Sequence, residues 1–431
     1  MKKESMDSVL KEVLKRVEPP EQEMKSMKSY LDQFIQRFEK RCAQRKIRAE
    51  IFIGGSFAKK TVIKKNSYDI DIFLRFDPEY LKEKRDISEL AREILDLNQE
   101  KYMDVKGSRN YFRIKVDETF SLEIIPVIKV KNPQESENIT DLSYSHVKYI
   151  NKKIKDQKML DEIKIAKAFC YSCNAYGAES YIKGFSGYAL ELLIYHYKSF
   201  RNFIKAVAKT KDKEKLVIDI ERFYKNKSEV MMNLNTAKLQ APIILIDPTY
   251  KQRNVCAALS EETFKQFRYS CNQFLKNPSI KWFEEQTLDL EKIKKNALTK
   301  KQEFCIILLE TDRQEGDIAG TKLLKFYEHM YFEIDKYFQI KGRGFGYDGM
   351  HKSQAWFVVK SRKEIEQIGP RVKDKENVKA FKKRHKKVIV KKGRLVAKDK
   401  INFTIQQFFE NWKEKNSGKI REMDITGLRI L

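Results

Sequence analysis

The chain has 431 residues and carries 88 Lys and Arg against 61 Asp and Glu, a formal net charge of +27. This excess of positive charge predicts a polyanionic partner, for which nucleic acid is the first candidate. Its six cysteines are too scattered for a disulfide framework, which indicates a reducing, cytoplasmic setting, and no window approaches the roughly 18 apolar residues of a membrane span, so no membrane partner is expected.

In chain order, the apolar residues of 21–46 recur at helical spacing and predict a long helix. Residues 49–53 and 68–76 predict two strands on either side of a short helix, and 110–130 predict two more strands joined by a polar turn. This order predicts a mixed α/β domain over residues 1–130.

The rest of the chain predicts two further domains. Residues 131–258 predict a helical central domain with long helices at 157–174 and 187–209. Residues 259–431 predict an α+β domain, whose elements are helices at 261–276 and 282–294, a strand at 304–309, a helix around 320–338 and a strand at 355–360. The chain is therefore predicted to be an α+β multidomain protein.

Two aspartates, Asp69 and Asp71, stand two residues apart in the predicted strand YDIDIFL. Side chains two residues apart in a strand share a face, so the two carboxylates project together. Such a pair is either a solvated strand face or a divalent-cation site, in which two ions about 4 Å apart stabilise an in-line phosphoryl transfer. Glu123, a lone acid in another apolar strand, is the candidate third ligand.

A glycine-rich turn, Gly54-Gly55-Ser56, stands upstream of the aspartates at the start of a predicted short helix. Free backbone N–H groups and a serine hydroxyl in such a turn could hold the β- and γ-phosphates of a nucleotide. Lys59 and Lys60 follow in the first helical turn and add positive charge.

A strand, Gly-Gly-Ser, Asp-x-Asp and a later strand acid together resemble the nucleotidyltransferase fold of the DNA polymerase β type. Residues 176–179, 184–188 and 247–255 resemble the archaeal-type (class I) CCA-adding enzymes, the tRNA nucleotidyltransferases. The resemblance continues at 365–370 and 376–378 and so covers nearly the whole chain. It implies a polymerase β-like catalytic domain, a helical central domain and a C-terminal RNA-binding domain with a basic tail.

The resemblance also implies roles for single residues. Asp69, Asp71 and Glu123 would be the catalytic carboxylates and bind two Mg²⁺ ions, although the family usually has Asp at the position of Glu123. The residues implied to bind the nucleotide are Gly55, Ser56, Lys59, His146, Lys167, Tyr176, Arg253 and Asn254. Among them, the guanidinium fork of Arg253 would face the base, with Asn254 beside it.

The activity that the resemblance implies is template-independent addition of CCA to the 3′ end of tRNA from CTP and ATP, with release of pyrophosphate. The implied partner is tRNA, contacted at its acceptor and T arms by the basic tail, which has 14 Lys or Arg and three acids between 371 and 400. A homodimer is a further assembly that it suggests. Two alternatives stay open: a poly(A) polymerase or other template-free RNA nucleotidyltransferase, and a catalytically silent RNA-binding relative.

Two other motifs receive structural interpretations. The stretch 344–349 matches G-x-G-x-x-G but follows a predicted helix, so a loop is expected, with Arg343, Phe345 and Tyr347 as candidates for stacking on RNA. Cys170 and Cys173 form a lone CxxC inside a predicted helix, which favours core packing over zinc binding.

Overall fold

The protein is described by a computed structural model over residues 5–107, 109–130, 132–136, 138–285, 289–385 and 387–431. The chain falls into two compact units, Met1–Gln286 and Thr287–Leu431. The division into three domains, at 1–130, 131–258 and 259–431, stays a prediction. Among the described residues there is no helix both long and apolar enough to cross a membrane.

The first part of the first unit is a mixed sheet with helices, as predicted. Its elements are α1 Met6–Val17, α2 Glu21–Arg45, β1 Ala49–Ile53, α3 Gly55–Ala58, β2 Tyr68–Phe76, α4 Glu79–Lys82, α5 Ile87–Leu97, β3 Met103–Val105, β4 Tyr111–Lys115 and β5 Phe120–Ile128. The sheet order is β1-β2-β5-β4-β3, and β2 and β5 run parallel. Alternation along β2 buries Ile70, Ile72 and Leu74 in one core with residues of α2 and α5.

The second part of the first unit is mainly helical. Its elements are α6 Ser143–Lys153, α7 Gln157–Ser172, α8 Gly187–Tyr197, α9 Phe200–Lys209, β6 Leu216–Ile218, α10 Lys227–Asn233, β7 Ile243–Asp247, β8 Tyr250–Asn254 and α11 Glu261–Lys276. The single helix predicted at 187–209 is wrong, because Lys198 takes a left-handed conformation with φ 67° and Ser199 caps a new helix. The small sheet β6-β7-β8 was not predicted from the sequence pattern either.

The second unit builds a four-stranded antiparallel sheet against helices. Its elements are α12 Leu290–Thr299, β9 Glu303–Glu310, α13 Asp317–Asp335, β10 Phe338–Tyr347, β11 Lys352–Ser361, β12 Glu364–Arg371, α14 Lys375–Arg384, β13 Val388–Lys391, β14 Arg394–Lys400, α15 Ile405–Lys415, α16 Ser417–Glu422 and β15 Gly427–Ile430. The helix predicted at 282–294 is wrong: a 3₁₀ turn at Ile280–Phe283 comes before α12, and residues 286–288 lie outside the described residues.

The strand order of this sheet, β10-β11-β9-β15, is that of a ferredoxin-like β-α-β-β-α-β unit. Residues of α13 and α15 share its core with alternate residues of β9 and β11. The segment β12-α14-β13-β14 is inserted between β11 and α15 and carries most of the basic run at 371–400. The second unit is therefore α+β, as predicted.

The G-x-G-x-x-G stretch is not the expected loop, because β10 runs through its first four residues and pairs with β11. Glycine is needed at 344 since the indole of Trp356 lies across the backbone there: a Cβ on Gly344 would come within 2.3 Å of Trp356 Nε1. Phe345 is partly buried and packs on Tyr327, with their ring centroids 5.3 Å apart. Stacking of Arg343, Phe345 and Tyr347 on RNA stays a prediction.

The CxxC cysteines pack in the core, as predicted. The thiols of Cys170 and Cys173 are free and buried in the hydrophobic cluster around α7, α8 and α11. Burial in apolar surroundings raises the pKa of both thiols, so they stay protonated at neutral pH.

We expect Gly344→Ala to destabilise the second unit by about 1–3 kcal/mol, because the new methyl group displaces the Trp356 indole. Urea unfolding measures the change. Gly418→Ala in α16 is the matched control, because a Cβ there meets nothing within 4 Å. Equal stability of the two variants would contradict this account of the glycine.

Candidate active site

The three predicted carboxylates come together on two neighbouring strands. Parallel pairing of β2 with β5 sets Asp71 opposite Glu123 and Asp69 opposite Ser121. The Ser121 hydroxyl donates to Asp69 Oδ1 at 2.8 Å, and Arg113 Nη2 donates to Glu123 Oε1 at 2.9 Å. All three acids therefore share one patch of the sheet.

Two carboxylates of this patch, Asp71 and Glu123, have raised pKa values, mainly because they are buried. Burial raises the pKa of Asp71, and the nearby Asp69 raises it further, against the opposing charge of Lys59. Burial likewise raises the pKa of Glu123, with Asp71 adding to the shift and Arg113 opposing it. Burial therefore disfavours the charged forms of Asp71 and Glu123, and a bound cation would stabilise those forms.

The donor set fits a hard divalent cation, because carboxylate oxygens are the ligands that Mg²⁺ prefers. Across the described ranges, no three or more His, Cys, Asp or Glu side chains are already gathered as a metal-binding group. Asp69 and Glu123 instead accept hydrogen bonds from Ser121 and Arg113.

The glycine-rich turn lies directly against the aspartate strand. Gly54 N donates to the carbonyl of Asp71 at 2.8 Å, and Gly55 has a φ of +58°. A Cβ on Gly55 would fall 1.7 Å from Asp71 Oδ2, so no other residue fits without moving the carboxylate. The turn thereby sets its backbone beside the acids.

One cavity brings together four of the predicted site residues: Ser56, Asp69, Lys167 and Tyr176. Sequence reasoning missed two further lining residues, Lys65 and Tyr171. Tyr171 stacks on Tyr176 with ring centroids 4.1 Å apart, and the Lys65 ammonium lies 5.2 Å from the Tyr171 ring centre. The cavity thus has a carboxylate edge, a cationic edge and an aromatic wall.

Two lysines predicted to bind phosphate, Lys59 and Lys167, are buried and paired with a residue that sequence reasoning missed. Lys59 Nζ donates to Glu191 Oε2 at 2.6 Å, and Lys167 Nζ lies 3.3 Å from Glu191 Oε1. Thr61 Oγ1 also donates to Glu191 Oε1, at 2.9 Å. The available signal was a lone acid inside the apolar run LELLI.

His146 and Arg253 meet at a second buried carboxylate, Asp247. Arg253 Nη1 donates to Asp247 Oδ2 at 2.8 Å, and His146 Nε2 lies 3.1 Å from the same oxygen. Tyr188 donates its hydroxyl to Asp247 Oδ1 at 3.1 Å. Burial works against the charged form, but the bond to His146 and the charge of Arg253 hold the pKa of Asp247 below its usual range.

Burial lowers the pKa of His146, so the imidazole is neutral at physiological pH. Its ring stacks on Tyr188 with centroids 4.1 Å apart. Asn254, predicted beside the base, is buried and makes its hydrogen bonds to backbone: Nδ2 donates to the carbonyls of Lys238 and Ile243. The structure thus places Asn254 as a support for the β7–β8 turn that carries Arg253.

Comparison with known protein families gives two matches that follow each other along the chain. Residues 5–160 match the family described as second messenger oligonucleotide or dinucleotide synthetase domain. Residues 161–284 match the family described as tRNA nucleotidyltransferase, second domain. The carboxylate patch lies in the first match, and Lys167, Glu191 and Arg253 lie in the second.

Curated archaeal proteins named CCA-adding enzyme are similar to the chain. That of Nanoarchaeum equitans is 41% identical over 50% of this chain, and the chain spans about half of that protein, 52% of its length. That of Methanocaldococcus jannaschii is 28% identical over 98% of this chain and 97% of that protein. That of Thermoplasma volcanium is 30% identical over 73% of this chain and 66% of that protein.

Among solved structures, the chain is similar to Cid1, described as having RNA terminal uridylyl transferase activity. The TM-score is 0.51 at 15% identity, over 66% of this chain and 100% of that chain. At this identity the match bears on the fold alone. Together with the family matches it confirms the predicted fold class, α+β with an N-terminal polymerase β-like domain.

We expect Asp71→Asn to raise the melting temperature of the metal-free protein at pH 7 by roughly 2–4 °C, the shift that about 1 kcal/mol gives. The pKa of Asp71 is raised in the folded state, so the charged carboxylate lowers stability above that pKa, and the gain should shrink as the pH falls through it. Mg²⁺ should stabilise the parent protein and leave the variant nearly unchanged.

Differential scanning calorimetry with and without Mg²⁺ measures both effects. Asp32→Asn, which replaces an exposed carboxylate on α2, is the control and should keep the parent response. A parent-like Mg²⁺ response in Asp71→Asn would show that the patch is not the cation site.

Proposed function

Because the chain belongs to the archaeal-type CCA-adding enzymes of the polymerase β-like nucleotidyltransferases, we propose that it adds CCA to the 3′ end of tRNA without a template. The nucleotide substrates are CTP and ATP, and pyrophosphate is the second product. The observation that carries the proposal is the set of three carboxylates beside a glycine-rich turn, in a chain that aligns with a CCA-adding enzyme over 98% of its length.

Asp69, Asp71 and Glu123 are the residues proposed to hold two Mg²⁺ ions. When bound, such ions stabilise charge on the reacting phosphate and the departing pyrophosphate, and make the attacking hydroxyl more acidic. Glu123 also carries a carboxylate able to take up the proton that the tRNA 3′-hydroxyl loses. Burial raises the pKa of Glu123 in the metal-free protein, which increases the proton affinity of this carboxylate.

The remaining residues position the nucleotide. Gly55 and Ser56 offer backbone N–H groups and a hydroxyl to the triphosphate. Ser56, Lys167 and Tyr176 line the same cavity. Arg253 is held through one guanidinium nitrogen by Asp247, which leaves other N–H groups of its planar fork for the base. Positioning of this kind carries much of the catalysis in phosphoryl transfer.

The basic run at 371–400 is the proposed contact with the acceptor and T arms of tRNA. Lys382, Lys383 and Arg384 end α14 on an exposed surface and form part of this run. Lysine and arginine contacts to phosphate read the shape of an RNA helix and not its sequence. A homodimer stays a prediction.

Product length tests the proposed reaction. A tRNA transcript lacking its terminal CCA is incubated with Mg²⁺ and CTP, ATP or both, and the products are separated on a sequencing gel. We expect three additions with both nucleotides, two with CTP alone, and no open-ended ladder. A long ladder from ATP alone would instead indicate a poly(A) polymerase, and no extension would indicate a silent RNA-binding relative.

Salt dependence tests the proposed RNA surface. We expect tRNA affinity to fall steeply between about 50 and 200 mM salt, because each phosphate contact releases a counterion. Replacing Lys382, Lys383 and Arg384 by Gln should reduce the slope of log K against log salt by about one for each phosphate-binding side chain removed. A control with three exposed lysines of α1 and α2 replaced by Gln (Lys11, Lys28 and Lys40) should keep the parent slope.

A slope that the α14 triple variant and the control share would contradict the proposed surface. Filter binding of radiolabelled tRNA provides the measurement.

A further inference from the structure

Glu191 is a fully buried carboxylate at the meeting point of three segments of the first unit. Its Oε2 accepts from Lys59 Nζ at 2.6 Å, and its Oε1 accepts from Thr61 Oγ1 at 2.9 Å and from Lys167 Nζ at 3.3 Å. Both oxygens are thus used inside the protein. The residue faces neither solvent nor the cavity that Ser56 lines.

The network around Glu191 reaches the glycine-rich turn through Thr61. Lys167 Nζ donates to the Thr61 carbonyl at 3.0 Å and to its hydroxyl at 2.7 Å, so three protein acceptors surround its three protons. Thr61 N in turn donates to the carbonyl of Ser56 at 3.0 Å. The backbone of Ser56 is therefore fastened to α7 and α8 through a chain of buried polar groups.

Helix α8 also contacts the residues that hold Arg253, which is proposed to face the base of the nucleotide. Tyr188 precedes Glu191 by one turn of α8, and its hydroxyl donates to Asp247, which holds Arg253. The Lys59 ammonium lies 5.9 Å from the Tyr188 ring centre, so the two ends are close. One turn of α8 thus carries both Glu191, which is bonded to the segment after the glycine-rich turn, and Tyr188, which is bonded to the carboxylate that holds Arg253.

Burying the charges of this network costs free energy unless every charged group has its partner. Two ammonium groups, on Lys59 and Lys167, face one carboxylate in a water-excluded position. A buried ion pair adds little net stability, but loss of its anion leaves uncompensated cations. The network instead fixes the relative positions of three segments that are distant in sequence: residues 59–61, α7 and α8.

We propose that Glu191 is a positioning residue for nucleotidyl transfer, which fixes the triphosphate side of the site relative to Arg253 by binding Lys59, Thr61 and Lys167 from α8. The inference rests on the proposed function. Glu191 does not line the cavity proposed for the nucleotide; it acts through Thr61 and Lys167, which do.

Glu191→Gln tests the proposal, because the amide keeps the shape of the side chain and removes its charge. We expect kcat/KM for both CTP and ATP to fall by about 100-fold, a loss that a misplacement of about 1 Å in the reacting geometry can cause. The KM for the nucleotides should rise while the KM for tRNA stays at the parent value. Simple loss of folded protein would lower kcat and leave every KM unchanged.

The pH profile gives a second readout. Burial lowers the pKa of Lys167 to about 8; the charge of Glu191 raises it, and those of Lys59 and Lys65 lower it further. We expect the parent's nucleotide KM to rise as the pH passes about 8, because Lys167 loses its proton there. In Glu191→Gln this rise should begin at a lower pH, because the supporting anion is gone.

Glu18→Gln is the matched control. Glu18 pairs with Lys164, another buried lysine of α7, at 2.8 Å, but lies outside the network. It should keep the parent nucleotide KM and pH profile. Glu191→Asp keeps the charge and shortens the side chain by one methylene, so a smaller rise in KM with a parent-like pH profile is expected; it also serves if Glu191→Gln does not fold.

A folded Glu191→Gln with the parent KM and pH profile would overturn the inference, as would a parent-like KM in Glu191→Asp if only that variant folds. Circular dichroism and tRNA binding establish folding in each case. If the parent protein itself does not complete CCA, the proposed function fails, and that result is obtained before any variant is compared.

Discussion

The parallel pairing of β2 with β5 is the interaction on which the candidate active site depends. Its register puts Asp71 beside Glu123, and the close approach of Gly55 puts the glycine-rich turn against Asp71. Burial raises the pKa values of Asp71 and Glu123, and the neighbouring carboxylates add to the shift. A divalent cation bound at this patch would stabilise the charged forms of both carboxylates.

In the helical part of the first unit, by contrast, two buried carboxylates are paired with protein cations. Glu191 and Asp247 are both fully buried, yet each is surrounded by donors and cations from separate segments. Burial of an ion is tolerated only when its hydrogen bonds are complete, and such groups fix geometry more than they add stability. The carboxylate patch is thus suited to ligand binding, whereas Glu191 and Asp247 hold other protein groups in place.

Helix α8 connects Glu191 with Asp247, because Tyr188, which donates to Asp247, lies one turn before Glu191 on this helix. A helix surrounded by apolar neighbours is a stiff connector, and the core around α7, α8 and α11 supplies those neighbours. Nucleotide affinity and transfer rate would then depend on the packing of residues that never meet the substrate.

The sequence by itself determined the local parts of this arrangement. Period-two alternation predicted that Asp69 and Asp71 share one strand face, and the glycine-rich sequence predicted a tight turn before them. The family motifs predicted Arg253. Each of these predictions depends only on residues that are close together in sequence. A lone acid in an apolar strand also pointed to Glu123.

Only the tertiary structure decided the partners. In the folded chain, Lys59 and Lys167 pair with the buried Glu191, and Asn254 donates to backbone carbonyls. The stretch 344–349, predicted as a loop, begins within strand β10, where the Trp356 indole lies across Gly344. Each of these depends on a contact between residues far apart in sequence. A buried charge is stable only if its partner arrives from elsewhere in the fold, and no local pattern specifies that partner.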